Sequence, residues 1–241
     1  MSFYTKLIDF FEPVIALALP ALCLFCDKPL PPRRKIICSD CFDQIPTLPN
    51  EYREVLKSEI INPYFDELLV VYQFSEWFQK LIHFLKYQRY TTLAEYLAAD
   101  LARSLENRTY DLICCVPLHP VKEKERGYNQ SALLASHVAR LQQWPFHPAL
   151  LKRTKNTVSQ TTLHKEERQA NVADAFSCTE QLAGKNILLI DDVITTGSTL
   201  NACARVLKKC GANIVDAAAL ATPMDYLQRN LEKETAGLLL T

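Results

Sequence analysis

Glycine is scarce in this chain of 241 residues, with five in all, and no tandem repeat or low-complexity tract is present. With 49% of residues hydrophobic and 22% charged, collagen-like, coiled-coil and disordered organisation are excluded and a globular protein is expected. Net charge is missing as well. Lys+Arg 27 balances Asp+Glu 27, so the chain as a whole is not a polycation held to nucleic acid by bulk electrostatics. The GxxxxGK[ST] loop and the GxGxxG turn are both absent, which excludes the commonest nucleotide-phosphate cradles. Nor is there an apolar run of the roughly 20 residues that a membrane span needs. Residues 14–22 (VIALALPAL) resemble the core of a signal peptide. However, Asp9 and Glu12 precede them, Lys6 is the one basic residue before them, and Pro13 and Pro20 bracket them. The expectation is a helix over residues 1–22, no transmembrane segment and a cytoplasmic location.

Cysteine, by contrast, is abundant, and its placement is uneven. Of nine cysteines, Cys23, Cys26, Cys38 and Cys41 fall within 19 residues, while Cys114, Cys115, Cys178, Cys203 and Cys210 lie in apolar surroundings, as small core residues of a reducing compartment do. The close group reads as two CxxC knuckles joined by a short loop, the spacing that lets four thiolates close a tetrahedral Zn2+ shell. No His lies nearby to offer another ligand, so the site is expected to be structural. Paired disulfides and a redox CxxC are the competing readings. The length suits one ordinary domain plus a small module. The expected division is residues 1–50, an N-terminal helix and four-cysteine zinc finger, and residues 51–241, a larger domain.

Past residue 65 the chain alternates strand-like and helix-like runs. Residues 68–74, 112–116, 187–190 and 213–220 read as strands. Residues 78–85, 93–105, 129–141 and 199–209 carry helical periodicity. The runs LICCV and ILLI are apolar throughout, as strands covered on both faces are. This pattern predicts an α/β domain with an open, mostly parallel sheet and helices on both faces. Charge is uneven along it. Residues 119–170 hold nine Lys and Arg against four Asp and Glu, net +5, which suits either a solvated basic face or an anionic ligand or nucleic acid.

The most informative segment is residues 187–200, ILLIDDVITTGSTL. A buried strand ends in Asp191 and Asp192, and a turn with four hydroxyls and Gly197 follows before a helix begins. Turn amides and a helix N-terminus favour a phosphate, and Thr195, Thr196, Ser198 and Thr199 add donors. The two carboxylates suit sugar hydroxyls or Mg2+. An ordinary capped turn is the plainer reading, although the segment is richer in polar groups than a cap requires. An acidic pair followed by TTGST resembles the phosphoribosyl-pyrophosphate signature of type I phosphoribosyltransferases. That resemblance implies ribose binding by Asp191 and Asp192 and 5′-phosphate binding by Thr195, Thr196, Gly197, Ser198 and Thr199.

Further blocks narrow the resemblance. Lys86-Tyr87, Val116-Pro117-Leu118-His119-Pro120, Arg126-Gly127-Tyr128-Asn129-Gln130, and Leu151-Lys152-Arg153 with Gln160, Leu163, Arg168 and Asn171 are similar to those of the ComF family. That family joins a four-cysteine finger to a phosphoribosyltransferase-like domain. The match runs from Cys23 to about Pro223. It implies a role in natural transformation (competence), in which imported single-stranded DNA is handled on the cytoplasmic side together with DNA-uptake and recombination proteins and membrane-associated machinery. It also implies a phosphoribosyl pyrophosphate or nucleotide ligand with Mg2+. Lys86, Arg89, Pro117, Leu118, His119, Arg126, Gln130, Arg153 and Arg168 become candidates for a pyrophosphate or DNA backbone, and Tyr128 for a stacked base. The chain departs from the family pattern at Gln88-Arg89-Tyr90. It departs again at residues 121–124 (VKEK), where Lys replaces Arg and loses bidentate phosphate geometry. An active Mg-dependent phosphoribosyltransferase with an unknown acceptor is the alternative. No acceptor pocket and no catalytic residue is legible.

Overall fold

The computed structural model describes residues 21–31, 36–60, 62–88, 90–154 and 175–224. The chain divides into two compact units, residues 1–46 and 47–241. Thr47 and Leu48 already belong to the second unit. The Leu48 amide donates to the Val71 carbonyl at 2.8 Å, and the Gln73 side-chain amide donates to the Thr47 carbonyl at 3.0 Å.

The described part of the first unit is mostly turns. The Cys23 amide bonds the Lys28 carbonyl and the Asp27 amide the Cys23 carbonyl, folding the first CxxC into a knuckle. The second CxxC spans the start of a one-turn helix, α1 (Ser39–Phe42), with Cys38 at its N-cap and Cys41 buried inside it. The predicted helix over residues 1–22 lies outside the described residues, apart from its last two.

The second unit opens with α2 (Asn50–Ser58) and continues as β1 (Leu68–Gln73), α3 (Glu76–Tyr87), α4 (Leu93–Ser104) and β2 (Leu112–Cys115). Then come α5 (Pro120–Arg126), α6 (Gln130–Gln142), β3 (Leu151–Arg153), β4 (Phe176–Cys178), β5 (Asn186–Val193), α7 (Ser198–Lys209) and β6 (Ile214–Thr222). Four strands form one sheet in the order β1-β6-β5-β2, every neighbouring pair parallel. Its centre is apolar throughout: Ile187 to Ile190 of β5 and Ala217 to Ala221 of β6 are inaccessible to solvent. This is the signature of a sheet covered on both sides. α4 packs on β1 and β6, and α6 on β2 and β5, while α7 lies against β4, β5 and β6. β3 and β4 pair antiparallel as a separate ribbon.

The predicted α/β architecture is thus present, and strand and helix positions match within a few residues. α2, α5 and the β3–β4 ribbon were not anticipated. Three-residue strands and a seven-residue helix carry too few residues for their periodicity to register. Among the described residues no helix is long and apolar enough to cross a membrane.

Candidate functional site

Two constellations stand out, one in each unit. In the first, the sulfurs of Cys23, Cys26, Cys38 and Cys41 all lie within 4.8 Å of one another. A tetrahedral shell with Zn–S bonds of about 2.3 Å sets its sulfurs about 3.8 Å apart; those of Cys26 and Cys38 are 3.7 Å apart. The Cys38 amide donates to the Cys23 sulfur at 3.4 Å. Burial raises the Cys23 thiol, but amide donors from Cys38, Phe25 and Cys26 outweigh it and bring Cys23 down to about 6, while burial and its thiol neighbours push Cys41 up. All nine cysteines are free thiols. The four sulfurs fit a metal such as zinc.

The second constellation lies at the carboxyl end of the sheet, where open α/β sheets bind ligands. Register builds it. Cys115 of β2 is level with Ile190 of β5, and the Val116 amide still bonds the Ile190 carbonyl at 2.9 Å. The segment leaving β2 therefore starts beside Asp191. Asn129 fastens the next helix to the same place: its side-chain amide donates to the Val116 carbonyl at 2.9 Å, and its oxygen caps α6 through the Ser131 and Ala132 amides. α6 so placed brings the Ser131 hydroxyl 2.8 Å from Asp191, to which it donates.

The two carboxylates then have different environments. Burial, reinforced by the neighbouring Asp192 charge, pushes Asp191 up to about 7, against the opposing pull of the Ser131 hydroxyl, the Asp192 amide and Lys86. Asp192, 4% exposed, accepts the Val193 amide at 2.9 Å with one oxygen, and its other oxygen is ion-paired with Lys86 in the last turn of α3. One carboxyl thus holds its proton toward neutral pH and the other is paired with an ammonium.

After β5 the chain turns through Thr195, Thr196 and Gly197 into α7, lining a hollow with Asp191, Val193, Ile194, Ser198, Thr199 and Leu200. Gly197 is the N-cap of α7, at φ 71, and supplies no side-chain cap; the first helical amide, that of Ser198, is 3.5 Å from the Thr196 hydroxyl. A side chain would be strained there twice over. That φ is left-handed, and a Cβ would come within 2.4 Å of the Ile60 Cδ1 atom. The Thr196 and Ser198 hydroxyls bond each other at 2.8 Å beside it.

Basic residues gather nearby. Burial lowers Lys122, and so do the positive charges of Arg153, Arg126 and Lys86, with Glu125 acting in the opposite sense. Arg126 bonds Gln130 and lies over the Tyr87 ring, 5.3 Å from its centroid. Arg153 lies over Phe176 at 5.5 Å and is lowered by burial, with the Asp191 charge among the opposing influences.

Other candidates have structural roles. His119 is the N-cap of α5, accepting the Val121 amide at 3.3 Å, Pro117 is buried and Leu118 half-buried. The Tyr128 hydroxyl donates to the Leu85 carbonyl, which ties the ring to α3 rather than leaving it for a base. Arg89 and Arg168 lie outside the described residues, as do Gln160, Leu163 and Asn171. Ser131, Asn129 and Ile60 were missed as parts of the site, whereas Lys122 stood in the departure at residues 121–124. Asn129 stood inside a motif block, but nothing local marks Ser131 or Ile60.

A parallel sheet carrying an acid pair and a glycine-hinged turn at its carboxyl edge defines a phosphoribosyltransferase-type domain, and residues 128–238 match the family model for the phosphoribosyl transferase domain. Relatives narrow the class. The chain is 31% identical over 222 residues to Competence protein F of Haemophilus influenzae, covering 83% of this chain and 96% of that one. It is 29% identical over 217 residues to DNA utilization protein YhgH of Escherichia coli, with the same coverage of each. With Competence protein ComFC of Bacillus subtilis it shares 38% identity over 96 residues, 40% of this chain and 38% of that one. The chain belongs to the ComF family of competence and DNA-utilisation proteins.

Proposed function

We propose that this protein serves natural transformation in the cytoplasm, receiving imported single-stranded DNA through a phosphoribosyltransferase-like domain that binds phosphoribosyl pyrophosphate or a nucleotide. The observation that carries the reading is the pairing, at one sheet edge, of a glycine-capped helix N-terminus with a cluster of cations and a divided carboxylate pair. The names of the relatives support the DNA part of it.

The cradle suits a phosphate monoester. Amides of the first turn of α7 and the hydroxyls of residues 195–199 point to an anion, and Gly197 keeps the approach clear of a side chain. A phosphate would be repelled by ionised Asp191 and Asp192, so their place is against ribose hydroxyls. There Asp191, holding a proton toward pH 7, can donate as well as accept. Lys86 restrains Asp192, and Arg126, Lys122 and Arg153 would take further phosphates. Mg2+ bound with phosphoribosyl pyrophosphate would neutralise the diphosphate and withdraw charge from the leaving group. In the first unit the four cysteines would hold zinc as a closed structural site.

Calorimetric titration of the zinc-loaded protein with phosphoribosyl pyrophosphate and Mg2+, beside a labelled single-stranded oligonucleotide at two salt concentrations, tests the reading. Saturable binding of the small ligand, lost in Asp191→Asn/Asp192→Asn, and salt-sensitive binding of the oligonucleotide are expected. A protein that binds neither overturns it.

A further inference from the structure

The last turn of α3 carries an aromatic surface that the phosphate cradle does not use. Phe78, Leu81, Ile82 and Leu85 form the buried face of this helix. Tyr87, its last residue, is outside that face and 66% exposed. His83, one turn earlier on the same side, sets its ring 5.1 Å from that of Tyr87, tilted by 44°. Phe84 meets His83 edge-on at 6.4 Å and Tyr90 edge-on at 5.5 Å, so the exposed rings rest on a packed aromatic base.

What surrounds Tyr87 separates it from an ordinary apolar contact. Arg126 lies 5.3 Å from the ring centroid, and its guanidinium is fixed by Gln130. Lys86, the preceding residue, belongs to the cation group that includes Lys122, Arg126 and Arg153. Glu125 also acts on Lys122, and Asp192 is paired with Lys86, so the cations outnumber the acids named around them. An apolar protein surface would have to strip water from several cations to cover this ring. A strand of unpaired nucleotides suits both parts at once: its phosphates match the cations and its bases present π-faces to Tyr87. A duplex offers the phosphates without the faces.

We propose that Tyr87, with His83 beside it, is a stacking platform for a base of single-stranded DNA whose neighbouring phosphates are held by Lys122, Arg126 and Arg153. This rests on the single-strand reading above and adds to it the place where unpaired bases are recognised.

The test uses the full-length, zinc-loaded protein and a fluorescent oligothymidylate about 20 nucleotides long, a length that spans more than one stacking site. Tyr87→Ala is expected to weaken binding about tenfold with its salt dependence unchanged, and Tyr87→Phe to bind like the parent protein. Lys122→Gln is expected to lower the slope of log affinity against log salt by about one. Affinity for the corresponding duplex is expected to be the same with and without Tyr87→Ala. An iodouracil photocrosslink from the strand is expected at Tyr87 or His83. If Tyr87→Ala binds the single strand as well as the parent protein while Lys122→Gln binds it less well, the platform is overturned and the single-strand reading stands. If Tyr87→Ala weakens single strand and duplex alike, the platform is again overturned, because the loss is not one of base stacking. If the parent protein fails to bind the oligonucleotide at low salt, the single-strand reading falls and takes the platform with it.

Discussion

The cysteine cluster and the carboxyl-edge group both gather polar side chains at one point, yet they are assembled in opposite ways. Four sulfurs within 4.8 Å come from two CxxC turns inside 19 residues, so chain connectivity alone brings them near one another. The edge site draws on Lys86 from α3, Asn129 and Ser131 at the start of α6, Asp191 and Asp192 from β5, and Ile60 following α2, segments separated by up to 132 residues. In the first unit the few buried apolar residues, Leu30, Ile36, Ile37 and Ile45, leave a bound metal much of the work of holding the two knuckles together. A site made by sheet register is shaped before any ligand arrives, at the expense of a buried acid that holds its proton unusually high.

The hardest break in that comparison is removal of the metal. Cys38→Ser, or a strong chelator, is expected to abolish stoichiometric zinc and, with it, on the order of 10 kcal/mol of metal-coupled folding. The loss is read as collapse of hydrogen-exchange protection over residues 21–46. Full zinc occupancy in Cys38→Ser would show that the cluster is not a four-thiolate site.

The preformed site should respond to shape. Gly197→Ala places a methyl against Ile60 at a left-handed φ, and is expected to cost about 2 kcal/mol in chemical unfolding and to suppress binding of a phosphoribosyl ligand. A double-mutant cycle with Ile60→Ala is expected to return part of that loss as a coupling of about 1 kcal/mol. Strictly additive losses would mean that the backbone angle alone makes glycine necessary.

The smallest effect is electrostatic, and its sign follows from the raised Asp191. Folded protein keeps this proton to about pH 7, whereas an unfolded aspartate releases it near pH 4. Between those values the folded state binds the extra proton, so this residue's contribution to stability falls as pH rises through the window. Asp191→Asn, which cannot ionise and still accepts the Ser131 hydroxyl, is expected to be more stable than the parent at pH 8 and to lose that advantage near pH 4. Thermal melts at the two pH values decide it; an equal effect at both would show that Asp191 is not the titrating group.

Much of the fold could be read from local pattern. The all-apolar runs at residues 112–116 and 187–190 are strands because only a strand covered on both faces needs every side chain to be apolar, and β2 and β5 are buried side by side in the sheet. The turn at residues 195–199 was legible because hydroxyls and a glycine between a strand and a helix have few other uses. His119 and Tyr128 show where such reading fails. Both stand beside the site in sequence, yet one caps α5 and the other is held by a carbonyl of α3. Those roles depend on which elements neighbour them in space.

Amino-acid order by itself determined the four-cysteine cluster of the first unit, the strand-turn-helix at residues 187–200 and the alternation that makes an α/β sheet. Each follows from chemistry within about 20 residues, where connectivity limits what can meet. Only the tertiary structure decided that Ser131 stands on Asp191, that Lys86 claims Asp192, that Ile60 covers Gly197 and that Arg126 faces Tyr87. The register of β2 on β5 and the packing of α3, α5 and α6 are set by burial summed over the whole domain, and no single segment carries that sum.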